Sequence, residues 1–177
     1  AEDSDPDNHL LWRANHRRLE AESIRDAILV VSGTLDPEPA VGSVVQSVGD
    51  GIIGQNVNAE GFTSGVTKRS VYLPIVRGVV PELLKVFDFP EPSMISGNRD
   101  VTTVATQALY MMNSEFVTGQ AQSFAQRRLA GSELNDEQRV DRAWQIALSR
   151  SPSETEQNDA LAFVNQTTES FADSESE

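Results

Sequence analysis

His9 and His16 stand seven positions apart and Glu20 follows four beyond the second, the residue types of a two-histidine, one-carboxylate metal site. On a helix, seven positions are two turns, about 10 Å along the axis, which is too far for both rings to reach one ion. Structural or solvent-facing histidines are expected, and no metal. The stretch Val48-Gly49-Asp50-Gly51-Ile52-Ile53-Gly54 contains a literal G-x-G-x-x-G. A phosphate-cradling version needs a helix opening at once and an acid about 20 residues on. Here Gln55-Asn56-Val57-Asn58 follows and Thr67 to Leu73 offers no acid, so a loop, or a hairpin turning at Asp50-Gly51, is expected and no cofactor.

Nucleophilic catalysis has thin support, because two histidines near one terminus supply few bases and no G-x-S-x-G elbow exists. The carboxylates Glu20, Glu22 and Asp26 sit beside Arg17, Arg18 and Arg25, where ion pairing is the simpler role. Met111-Met112 beside Tyr110 offers soft thioether ligands, but at helical spacing they read as core. No catalytic residue is assigned, and the chain is not expected to be an enzyme by itself. The sharper candidates are Asn15, Arg17, Arg18, Arg69, Arg77, Arg99 and Gln107, all able to make paired hydrogen bonds and all near expected helix starts and loop ends. They suit either a polar network tying loops to helices or a cleft for an anion or sugar.

These side chains need elements to position them. Leu10, Ala14, Arg17, Ala21, Ile24, Ile28 and Val31 alternate by four and three, the stripe of a long N-terminal helix capped by Asn8 and ended by Gly33. Arg17 is the one charge on that stripe and is expected to be buried against the 88–103 region. Positions 33–65 hold seven glycines and read as a long loop or hairpin. Lys68 to Val76 alternates like a strand, which Pro74 confines to an edge. Pro81 opens a short helix that Pro90 and Pro92 terminate. The final third is helical, with Thr102 or Thr103 and Asn113 or Ser114 as caps, and Asn135/Gln138 and Ser153/Glu156 as capping boxes. The fold expected is mostly α: a long N-terminal helix packed on a C-terminal helical bundle, plus a small β element at 44–53 or 68–76. Residues 1–8 and 168–177 are expected as disordered acidic tails around a single helical domain over 9–167.

With 177 residues the chain can bury a substantial core. Its net charge of −13 is concentrated at the ends, in Glu2, Asp3, Asp5 and Asp7 and again in Glu169, Asp173, Glu175 and Glu177. Such a balance argues against nucleic-acid binding, which rests on Lys and Arg. All bases but Lys68 and Lys85 are Arg. The absence of cysteine excludes, within these residues, a disulfide framework, a thiolate zinc site and covalently attached haem. No membrane span is expected, and without an initiator Met the chain reads as part of a longer protein.

Three ordered stretches carry a resemblance: 7–36, DNHLLWRANHRRLEAESIRDAILVVSGTLD; 68–88, KRSVYLPIVRGVVPELLKVFD; and 98–113, NRDVTTVATQALYMMN, with a weaker fourth over 139–162. The chain resembles the domain of unknown function 1553 family, found at the C-terminal end of large planctomycete secreted proteins, many with a cytochrome c module upstream. Relatives often carry a Pro where this chain has Thr106. The resemblance implies an extracytoplasmic home, other domains of a parent protein as partners, and no known catalytic residue. The leading expectation is a non-catalytic structural or interaction module. A carbohydrate-binding or carbohydrate-processing domain, and a docking surface for an upstream haem-containing module, are the alternatives.

Overall fold

The computed structural model describes residues 4–14, 17–42, 63–75, 80–126 and 134–174. Their order is α1 (Ala21–Ser32), a 3-10 turn (Ser70–Tyr72), α2 (Glu82–Val86), α3 (Ala105–Asn113), α4 (Glu115–Phe124), α5 (Asp136–Leu148) and α6 (Glu154–Ser174). The protein is mostly helical, and no sheet forms among the described residues. Two compact units contain these elements: residues 1–27 with 36–114, and residues 28–35 with 115–177.

In the first unit the N-terminal helix is shorter than its periodicity predicts, beginning at Ala21 rather than near Leu10. Local hydrogen bonds win over the apolar stripe. The Asp5 carboxylate accepts from the N–H groups of His9 and Leu10 at 2.9 and 2.7 Å, the Trp12 indole donates to the Asp5 carbonyl, and Asn8 ties down both backbone groups of Arg13. Asn8 and Leu11 adopt left-handed backbone conformations that no helix accommodates. Leu10 and Leu11 are consequently 81 % and 72 % exposed, whereas Asp5 and Asn8, in the stretch expected as a tail, are buried.

Ala21, Leu73, Val80, Leu83 and Leu84 are the buried apolar side chains of this unit among the described residues. Burying each of the two α2 leucines contributes about 2 kcal/mol. The rings of Phe87 and of Tyr110 on α3 stand perpendicular to one another with their centres 6.4 Å apart. The β element expected over 68–76 is reduced, in its described part, to one parallel bridge between Asp36 and Lys68 followed by the 3-10 turn. Its other candidate position, 44–53, lies outside the described residues.

The second unit takes in the end of α1, where Gly33 at φ 74° stops the helix as expected and the N–H groups of Thr34 and Leu35 fold back onto the Leu29 carbonyl. Leu29 and Val140 are its buried apolar side chains among the described residues. The Ser32 and Thr34 hydroxyls converge on the Gln120 amide oxygen at 2.7 and 2.6 Å, fixing the end of α1 to α4. α5 opens on the expected capping box, with Asn135 accepting from the Gln138 N–H and Gln138 reaching back to the Asn135 N–H. α6 opens likewise through Ser153 and Glu156, and α5 packs against α6. α6 continues to Ser174, past the boundary expected at 167. No described helix is long and apolar enough to cross a membrane.

Candidate functional site

Polar chemistry in the first unit gathers at two places. The first surrounds Asp88, which follows α2 with φ 64°, a left-handed conformation that Asp tolerates better than most residues. That backbone turn aims the carboxylate at the segment before α3. Asp88 accepts from the Thr102 N–H at 2.9 Å and from the Thr102 hydroxyl at 2.8 Å, and Arg18 donates to it at 3.3 Å. Burial pushes the Asp88 carboxyl upward, but the Thr102 hydrogen bonds and the Arg18 charge together outweigh it and hold the group below the usual carboxylate range. The Arg18 guanidinium also lies 5.7 Å from the centre of the Phe87 ring.

Gln107 completes this arrangement from the first turn of α3. Its buried amide donates to the Val86 carbonyl at 3.0 Å and to the Thr102 hydroxyl at 3.3 Å, while its oxygen accepts the Val104 N–H. Val104 precedes α3 and has no side-chain acceptor, so Gln107 makes only its own half of a capping exchange. Thr102, expected as a helix cap, spends its hydroxyl on Asp88 instead.

Beside it, Arg99 grips Glu22 with both arms of its guanidinium, at 2.7 and 2.9 Å, and reaches Glu20 at 3.2 Å. The paired hydrogen bonds hold Glu22 below its ordinary value against burial, and they raise Arg99 in turn. Arg99 also covers the Phe89 ring at 5.5 Å. Asp88, Phe89, Met94, Arg99 and Asp100 help to line a shallow depression of about 280 Å³.

The second gathering is on α1. Arg25, only 5 % exposed, donates to the carbonyls of Lys68 and Val66 and to the Ser70 hydroxyl. Its neighbour Asp26 accepts from the Ser70 N–H and hydroxyl, both at 2.7 Å. Between them the two side chains occupy backbone groups that a strand over 68–76 would have needed, which explains why that strand does not form. Burial lowers the Arg25 pKa and Asp26 partly restores it. Lys68 pairs with Asp36 at 2.6 Å.

Of the side chains singled out from the sequence, Arg18, Arg99 and Gln107 thus gather around 86–104. Arg69 lies instead at the second place, 3.7 Å from Asp26 and more than half exposed. Arg17, expected to be buried, is exposed. Because the chain is not helical there, the stripe that placed Arg17 inward does not exist, and Arg18 makes the contact with Asp88. Asn15, His16 and Arg77 lie outside the described residues, as does the glycine motif at 48–54. An acceptor in the 88–103 region, such as Asp88, was expected for an N-terminal arginine, but the arginine that reaches it is Arg18 and not Arg17. Sequence reasoning missed Ser70 and Gln120, which nothing local marks. Among the described residues no group of His, Asp and Glu is arranged to hold a metal ion.

The three quoted stretches are the ones whose side chains meet: 7–36 supplies Arg18, Glu22, Arg25 and Asp26; 68–88 supplies Lys68, Ser70 and Asp88; 98–113 supplies Arg99, Thr102 and Gln107. A family model described as PSD1, protein of unknown function (DUF1553), matches residues 1–164. The chain belongs to the DUF1553 family. No curated protein and no solved structure matches it. Every side chain of the two polar gatherings in this DUF1553 domain falls within the matched span. Most bond one another rather than facing an open cavity.

Proposed function

We propose that this chain is a structural and interaction module of a larger exported multidomain protein, serving its parent by presenting a fixed surface rather than by catalysis. The observation that supports this most is that Arg18, Arg99, Arg25 and Gln107, the groups best suited to grip a ligand, are spent on partners within their own unit. Bidentate Arg–carboxylate geometry of this kind fixes segments relative to one another. The family resemblance described above supports an extracytoplasmic location.

A carbohydrate-binding reading has one specific observation in its favour. The depression beside Phe89 combines an aromatic ring with Asp100 and Arg99, groups that suit a sugar's faces and hydroxyls. Thermal unfolding and a glycan array, run on the wild type and on Arg99→Ala, separate the two. A structural Arg99 gives a lower melting temperature in the variant and no glycan bound by the wild type. A glycan held by the wild type and lost in a variant of unchanged melting temperature would overturn the first reading in favour of the second. Docking to an upstream haem module is the remaining alternative, and salt-sensitive binding of that isolated module would support it.

A further inference from the structure

The polar groups that line the depression beside Phe89 differ in how far they are engaged. Arg99 gives its guanidinium to Glu22 and Glu20, Asp88 is occupied by Thr102 and Arg18, and the Ser96 hydroxyl donates to the Asn98 carbonyl. Glu91 accepts the Ser93 hydroxyl and N–H on Oε1 alone, at 2.6 and 3.3 Å, which leaves Oε2 open. Asp100 is exposed, and no hydrogen bond or ion pair engages its carboxylate. The groups left to meet a ligand are therefore acceptors carrying negative charge, set beside the apolar side chains of Phe89, Met94 and Ile95. Met94 and Ile95 are exposed.

The surrounding cations do not cancel this charge. Arg18, Arg99 and Lys85 stand against Glu20, Glu22, Asp88, Glu91 and Asp100, so acid remains in excess. A matching group must bring a cation on an apolar stem. Lysine does so with a compact, strongly hydrated ammonium on four methylenes, which suits an open depression whose free carboxylate stays wet. Arginine's planar fork gains most where it is desolvated and held in paired bonds. A neutral sugar would look for donors as well as acceptors, and Arg99, the donor at hand, is already engaged. We propose that the depression receives a lysine side chain of a partner protein, its stem against Phe89 and Met94 and its ammonium met by Asp100, with Glu91 adding to the attraction. The inference rests on the interaction-module reading and names a point of contact and the partner's chemistry.

The test titrates the isotope-labelled full chain with three probes, followed by amide NMR: N-acetyl-lysine methylamide, its norleucine counterpart, which lacks only the ammonium, and N-acetylglucosamine. The lysine derivative is expected to give saturable shifts confined to residues 88–100, weaker as salt is raised, and the other two none. Asp100→Asn removes the charge from a side chain that holds nothing else in place, so circular dichroism should stay unchanged while affinity for the lysine derivative falls at least fivefold. Equal binding of the lysine and norleucine derivatives, shifts spread over the acidic surface, or binding indifferent to Asp100→Asn would overturn the proposal. So would no saturable shift with the lysine derivative, or saturation of the same amides by the sugar. The Arg99 measurements above read the module role independently, so that role can stand when the lysine assignment fails.

Discussion

Arg25 is the most deeply buried cation among the described residues, with two carbonyls and a hydroxyl satisfied by its guanidinium. Arg25→Ala leaves those acceptors without their donor and the neighbouring Asp26 with the exposed Arg69 alone, and should cost about 3 kcal/mol in urea unfolding. Arg17→Ala, on an exposed side chain, should cost less than about 0.5 kcal/mol. Glu22 contributes to the acid limb of stability, as do Asp88 and Glu156, which are also held below the ordinary carboxylate range. The folded pKa of Glu22 is lower than the unfolded value of about 4.3, so the Arg99 pair contributes fully above that pH and is lost as pH falls through the folded value. Urea midpoints should therefore stay level from pH 7 to about 5 and decline below 4, with a shallower decline in Glu22→Gln. The sequence made Arg18, Arg99 and Gln107 legible as bonding groups because their side-chain chemistry is strong wherever the chain places them. It misassigned Arg17 because a side chain's direction depends on backbone conformation, and the conformation before Ala21 is set by Asp5 and Asn8.

At the scale of elements, the turn that follows α2 depends on one residue serving two needs. Asp88 tolerates a left-handed backbone and simultaneously receives Thr102 and Arg18. Asp88→Ala should lose about 3 kcal/mol, combining broken hydrogen bonds with left-handed strain. Asp88→Gly keeps the backbone relaxed and should lose about 1 kcal/mol less, a difference that chemical denaturation resolves. Helix starts with local codes were legible: Asn135 with Gln138, and Ser153 with Glu156, need nothing beyond their own turn. The start of α1 was not, because the short-range bonds of Asp5 and Asn8 override a regular apolar period, and the missing strand over 68–76 was not, because Arg25 and Asp26, far along the chain, take its backbone groups. The Glu156 carboxyl, drawn down to about 2 by the Arg150 guanidinium and the Ser153 N–H, offers a direct check. In an NMR titration it should rise toward about 4.3 in Arg150→Ala.

For the molecule as a whole, a charge of −13 at neutral pH and a sequence pI of about 4.5 place the point of zero charge just where carboxylates titrate. Repulsion between copies then vanishes while the exposed side chains of Phe163, Met112 and Ile95 remain apolar. Light scattering against pH should show association peaking near 4.5 and little above pH 6. The two compact units also differ in their intrinsic fluorophores. Trp12 lies in the first and donates its indole N–H to the Asp5 carbonyl; Trp144 lies in the second, with an indole nitrogen that is buried and has no hydrogen-bond partner among the described residues. Each unit therefore has its own native optical label. Trp12→Phe leaves emission from the second unit alone and Trp144→Phe from the first alone, with the Trp144 emission expected at the shorter wavelength. Denaturation followed in the two variants reads the melting of either unit without attaching a dye.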